Sequence, residues 1–258
     1  MLVSVNGEIV PRQNAKVDAL SESVLFGVGL FETMRTFANR KFFRLERHVD
    51  RLLQSAAKIS VEAGFSHEEI CGFARQLAQA SDSEIRRIKI VLFHKRLIVV
   101  STAFKPDLSI RCGVFLKSVR QRRALPEIKS TSYLDCLLAH RLARKEHFYD
   151  ALLIDESSVA YEGSRSNLFW IRDSRLYTKE NRVLPGITRA VIVEELFPQV
   201  RFESIRLKEL TSADEIFITG SIIGIAPVLK IDNSPVGSGS VGNLTKTLME
   251  RYDRLTES

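Results

Sequence analysis

The sequence is sparing with the residues that build disulfide frameworks and metal sites. Its three cysteines, Cys71, Cys112 and Cys136, are an odd number without close spacing. That excludes a disulfide-stapled small domain and reads as buried thiols in a reducing cytoplasm. The five histidines, His48, His67, His94, His140 and His147, are scattered and form no short ligand pair, so no metal site is expected. No apolar run approaches the ~18 residues of a membrane helix. The opening MLVSVNGEIV lacks the basic-then-apolar pattern of a secretory signal. Internal repeats, low-complexity stretches, zinc-finger spacing and aromatic-plus-basic RNA motifs are all missing. A net charge of +7 therefore points away from nucleic acid as the main partner and toward phosphorylated cofactors or carboxylate substrates.

What is present suits one large domain or two moderate ones, since 258 residues that are 45% hydrophobic can bury a full core. Val3 to Val10 alternate around Asn6-Gly7, a strong hairpin signal. FETMRTF and KFFR suggest a second β pair turning at Ala38-Asn39-Arg40. Leu45, Val49, Leu52, Leu53, Ala56 and Ile59 recur at helical spacing. Ser66 with Glu69 forms a capping box for another helix. RIKIVLF, LIVVSTAF and IRCGVFLKSV read as strands. Beyond them, Leu134 to His147 reads as a helix and DALLID, VAYEG and NLFWIR as strands. A helix follows Gly186, EIFITG is a strand, and Leu244 to Leu255 is a terminal helix. Strands and helices do not alternate strictly, so an α+β fold with two subdomains of mixed sheet and helices is expected rather than a doubly wound sheet. The charged segment ending at Pro126 predicts a division into residues 1–119, a linker at 120–127, and 128–258.

Several residues invite chemistry, each with a plain structural alternative. Lys129 follows a proline among small polar residues, where it is either a solvated loop lysine or an amine poised for covalent work. In LPGITR, Gly186 permits a sharp turn and Thr188 sits at a helix start, which makes either a simple cap or a phosphate cradle. Thr219-Gly220-Ser221 ends a strand and offers further donors. Arg51 lies on the first amphipathic helix, where arginine either is solvated or binds phosphate. Glu162 begins EGSRSN, either a turn or a placed carboxylate.

Their joint order resembles the class IV, or fold type IV, pyridoxal-phosphate enzymes: branched-chain aminotransferases, D-amino-acid aminotransferases and aminodeoxychorismate lyases. FGVGLFETMR, FRLERHVDRL, EIKSTSYL, AYEGSRSNLFWI, LPGITRAV and ADEIFITGSIIGIAPV carry the resemblance over nearly the whole chain. It implies an α+β fold with pyridoxal 5′-phosphate in the cleft between the two subdomains, a homodimer, and a small amino or carboxylate substrate. The chain would be cytoplasmic, without membrane or nucleic-acid partners. Lys129 would be the Schiff-base lysine, and Glu162 would keep the pyridine nitrogen protonated. Arg51, Ile187, Thr188 and Ser221 would hold the phosphate, and Tyr133 would meet the ring hydroxyl. Phe31, Ser221 and Ile222 would line the substrate pocket.

The reaction type is less determined. EGSRSN, LPGITR and Gly220 resemble the aminotransferases, whereas Val28, Thr33, Trp170 and Gly224-Ile225 are closer to the lyases that release pyruvate and 4-aminobenzoate. Transamination is the expected reaction, with lyase activity and a non-catalytic basic binding protein as alternatives. Either the short turn His94-Lys95-Arg96 or donors near Ser221 and Ile222 would then read the substrate carboxylate.

Overall fold

Period-two alternation and turn residues build two separate sheets. The computed structural model describes residues 1–257. They divide into two compact units, one of Met1–Pro106 with Ile128–Ser132, the other of Asp107–Glu127 with Tyr133–Thr256. Each unit is α+β, as expected from the sequence.

The first unit holds an antiparallel sheet of β1 (Leu2–Val5), β2 (Glu8–Val10), β3 (Leu30–Arg35), β4 (Arg86–Phe93) and β5 (Arg96–Ala103), in the order β2-β1-β5-β4-β3. Asn6 and Gly7 both take positive φ, 52° and 93°, as a two-residue hairpin turn demands. One sheet face carries Leu30, Met34, Ile88, Ile90, Leu92, Leu97 and Val99 into a core shared with α2 (Leu45–Lys58) and α3 (His67–Gln79). The short α1 (Glu22–Leu25) precedes β3. Ser66 and Glu69 do form the capping box of α3.

KFFR is not a strand. Asn39, Arg40 and Arg44 all adopt left-handed φ near 57°, and only an isolated bridge, Thr36 to Phe42, remains where the second β pair was expected. The partner of β3 is β4.

The second unit contains β6 (Val114–Arg120), α4 (Leu134–Lys145), β7 (Asp150–Ile154), β8 (Val159–Gly163), β9 (Asn167–Arg172) and β10 (Arg175–Thr178). There follow α5 (Ile187–Val191), β11 (Arg201–Phe202), β12 (Ile205–Arg206), α6 (Leu207–Leu210), β13 (Glu215–Gly220), β14 (Gly224–Ile231), β15 (Ser234–Pro235) and α7 (Asn243–Glu257). The helix expected after Gly186 is α5 continued by a π-wound turn, Ile192–Leu196. In the sheet, β9, β13, β14, β6, β7 and β8 are neighbours in that order, and a pairing of β8 with β9 closes them into a ring. Closure leaves no open edge within those six strands.

The contacts depart from the expected division at 119 and 128. β6 pairs in parallel with β14 and β7, so it belongs to the second sheet, because its apolar face (Val114, Leu116) joins that core. Ile128 instead packs into the first core. The core of the second unit centres on Leu152, Leu168, Trp170, Ile216, Ile218 and Ala226, with Trp170 stacked on Tyr177 at 5.8 Å. On the opposite side of β9 and β13, Phe169 stacks on Phe217 at 4.9 Å and 11°. Phe217 is completely buried. Truncation to alanine removes its contacts and leaves a cavity, so Phe217→Ala should cost about 3–5 kcal/mol in urea unfolding of the isolated protein.

Candidate active site

Glu162 and Asn167 face one another across the single β8–β9 pair that closes the ring. Both are buried, at 4% exposure. The intervening Gly-Ser-Arg-Ser stretch makes the connection, with Gly163 N–H donating to the Ser166 carbonyl at 2.7 Å. A buried carboxylate must be matched by donors, and three surround Glu162. Arg123 Nη1 donates to Oε1 at 2.9 Å, while Leu184 N–H (2.9 Å) and Asn167 Nδ2 (3.2 Å) donate to Oε2. Asn167 Nδ2 also donates to the Leu184 carbonyl at 2.8 Å. This amide therefore ties EGSRSN to LPGITR, two motifs that are distant in sequence. A Cβ on Gly186 would lie 1.9 Å from Asn167 Oδ1, so only glycine fits there.

In the sequence Arg123 is legible only as part of the dense basic cluster, within the expected linker. The structure makes it a partner of Glu162 and of the Pro126 carbonyl, at 2.9 and 2.7 Å.

Thr188 is 2% exposed at the start of α5, and its hydroxyl lies 3.3 Å from the Tyr252 hydroxyl on α7. Ile187 is buried beside it. Ser221 and Ile222 occupy the half-buried turn from β13 to β14. Just before that turn, the buried Thr219 Oγ1 has no hydrogen-bond partner among the described residues. Gly224 ends the turn at φ +66°, and a Cβ there would sit 3.1 Å from the Tyr252 ring. The backbone and Tyr252 thus account for glycine at this position without appeal to the substrate.

Tyr133 precedes α4, and its hydroxyl donates to the Ser164 carbonyl. Burial, with the charges of Cys136 and Asp150, pushes the phenol well above its ordinary range, so it stays protonated. Its one proton is committed to Ser164, which leaves its oxygen lone pairs for any further contact. The same loop is held by Asp150, which accepts from the hydroxyls of Ser164 and Ser166 and lies 3.1 Å from His140 Nδ1.

Lys129 belongs to the first unit rather than to a loop leading into a helix. Its carbonyl accepts from Phe31 N–H at 2.9 Å, Ser130 bridges Leu30, and Thr131 N–H reaches the Gly29 carbonyl at 2.8 Å. The segment therefore runs as an extra antiparallel partner along the start of β3. Its amine lies 4.7 Å from the centre of the Phe31 ring. On the opposite face of β3, Arg51 forms a two-point clamp on the fully buried Glu32, Nε to Oε1 at 2.8 Å and Nη2 to Oε2 at 2.7 Å. His48 Nδ1 meets the same Oε2 at 2.7 Å. Nothing in the sequence singles out Glu32 and His48, although both lie inside the motifs.

Burial alone would raise the Glu32 pKa, but Arg51 and His48 hold it well below the carboxylate range. Burial lowers that of His48; Glu32 opposes this, while Arg51 and Lys129 add to it. Glu32→Gln leaves Arg51 buried without its counter-charge and should destabilise the protein by about 3–5 kcal/mol. A His48 pKa below the ordinary 6.5 means that the unfolded chain takes up the proton first as the pH falls. Stability present at higher pH is therefore lost below pH 6.5. Urea midpoints should drop between about pH 7.5 and 5.5, a step that His48→Gln reduces. The Glu32 contribution should fade only below its ordinary pKa of 4.5.

Comparison with known proteins matches the chain, in sequence and in fold, to one family. The model for amino-transferase class IV covers residues 29–231. The chain is 29% identical to a putative branched-chain-amino-acid aminotransferase of Methanocaldococcus jannaschii, over 98% of this chain and 95% of the relative. It is 30% identical to a D-alanine aminotransferase of Staphylococcus aureus, over 99% and 98%. The branched-chain aminotransferase of Thermoproteus uzoniensis with norvaline gives a TM-score of 0.90 at 28% identity, covering 100% of this chain and 95% of that one. A branched-chain amino acid aminotransferase solved with pyridoxamine 5′-phosphate, from T.th., also gives 0.90 at 28%, covering 99% and 94%. With the lysine, glutamate and turn motifs all inside the matched span, the chain belongs to the class IV aminotransferases.

Proposed function

We propose that this enzyme moves an amino group between an amino acid and a 2-oxo acid, using pyridoxal 5′-phosphate held by the residues described above. The observation that carries the reading is the pinned lysine. Lys129 is fixed through its own backbone to β3, and its amine is aimed over an aromatic ring rather than trailing in a loop. The residues fit the group. A buried hydroxyl at Thr219 without a partner among the described residues, the glycine-only turn at Gly186 and the donors at Ile187, Thr188 and Ser221 suit a phosphate.

When bound, the cofactor supplies an aldehyde for amines and a ring that draws electrons from the substrate α-carbon. Lys129 would hold that aldehyde at rest and, once displaced, move the proton at the substrate α-carbon. Glu162 would keep a proton on the ring nitrogen, its own position fixed by Arg123, Asn167 and Leu184. Arg51 would face the phosphate with its guanidinium already oriented by Glu32. Tyr133 would meet the ring hydroxyl through its oxygen lone pairs. Phe31 and the turn at Ser221-Ile222 would line the substrate side. The homodimer and the cytoplasmic location implied by the resemblance belong to this reading, and the three unpaired thiols suit a reducing compartment.

A panel of D- and L-amino acids with pyruvate or 2-oxoglutarate should yield a new amino acid. Release of pyruvate and 4-aminobenzoate from aminodeoxychorismate without any such product would overturn the reading. Lys129→Ala should abolish turnover. Glu162→Gln should lower kcat by at least about a hundredfold while cofactor affinity, read by titration, changes far less.

A further inference from the structure

A second buried carboxylate organises the turn that follows Glu162. Asp150 begins β7 and is 1% exposed, so its oxygens need donors. Four reach it: the Ser164 hydroxyl, His140 Nδ1 at 3.1 Å and the Ala151 N–H at 2.9 Å on Oδ1, and the Ser166 hydroxyl at 3.3 Å on Oδ2. A carboxylate only accepts, so His140 carries its hydrogen on Nδ1. The turn has no slack around this acid. A Cβ on Gly163 would overlap Ser166 Oγ and lie 3.0 Å from Asp150 Oδ2.

Ser164 is thereby held on three sides. Its N–H donates to the Ala151 carbonyl at 2.8 Å, its hydroxyl donates to Asp150, and its carbonyl accepts the Tyr133 hydroxyl. Tyr133 and His140 are seven residues apart, about two turns of helix. On the same helix Cys136, Ala139 and Ala143 pack against Ala151 and Leu153 of β7, and such small side chains let α4 lie close to the strand. α4 is thus pinned to one loop at two points, through Tyr133 at Ser164 and through His140 at Asp150. The consequence is chemical. Burial keeps the Tyr133 phenol protonated, and a phenol has one hydrogen to give. While the Ser164 carbonyl takes it, the phenol oxygen meets any other group as an acceptor only.

We propose that Asp150, braced by His140, is a positioning residue that fixes the direction of the Tyr133 proton. The proposal rests on the reading of Tyr133 as the partner of the cofactor's ring hydroxyl. An acceptor beside that group favours its O–H form, whereas a donor favours the ring oxide. Protonation of the ring oxygen would then be governed from β7 through one serine carbonyl. Glu162, at the start of the same loop, is held by separate donors, Arg123, Asn167 and Leu184. Loosening Asp150 leaves those contacts in place.

The holoenzyme carrying Asp150→Asn tests this, because the amide keeps the shape of the acid but replaces one acceptor oxygen with a donor. Its cofactor absorption should shift toward that of the ring oxide. Ser164→Ala and His140→Leu, each removing one donor from the acid, should give a smaller shift in the same direction. They carry the test if Asp150→Asn does not fold. In a Tyr133→Phe background none of these changes should add a further shift, since the group they act through is gone. A merely structural Asp150 would lower the urea midpoint and leave the absorption of the folded holoenzyme native in all three variants, which overturns the proposal. So does a shift of equal size with and without Tyr133, which would route the effect elsewhere in the loop. A native absorption spectrum in Tyr133→Phe itself sinks the underlying reading of Tyr133. An altered spectrum there, beside native spectra in the three other variants, sinks only the role of Asp150.

Discussion

The second unit depends on how one buried carboxylate is satisfied. Glu162 sits where β8 and β9 meet for a single residue pair, and that pair turns an open sheet into a ring. A charge at such a place is tolerable only if donors converge on it. They come from three stretches of chain: Arg123 before the first core's Ile128, Asn167 at the start of β9, and the backbone of Leu184. Fold closure and the placing of the acid are thus the same event. The glycine at 186 follows from it, since Asn167 occupies the space that any side chain there would need.

The first unit solves a related problem in a different way. Its core-facing β3 residue Glu32 is wholly buried, yet Arg51 and His48 on α2 reach it from helical positions three residues apart. The clamp orients the guanidinium in advance, so an anion meeting Arg51 has less side-chain freedom to remove. The opposite face of the same strand holds Phe31, whose ring two lysines approach. Strand alternation therefore puts a charge clamp on one face of β3 and an aromatic platform on the other.

Local signals read well where one principle dominates. The Asn6-Gly7 hairpin, the Ser66 capping box and the amphipathic α2 all appear as expected. KFFR fails because consecutive left-handed residues carry the chain away from the sheet. β14 is hidden as a strand because Pro227 and Gly224 argue against one, although Pro227 lies opposite Phe217 in the ladder. The boundary at residue 119 fails because β6 makes its bonds to β14 and β7, far along the chain.

The sequence by itself pointed to the family, fixed the order of the motifs and singled out Lys129, Glu162, Arg51 and the turns at Gly186 and Gly220 as candidates, because those depend on residue types at fixed local spacing. Tertiary structure alone decided that Arg123 meets Glu162, that Glu32 and His48 orient Arg51, and that Lys89 shares a ring with Lys129. Those are contacts between strands, helices and loops separated by 16 residues or more. They are set by sheet register and by the need to match buried charge, and neither is written in a local pattern.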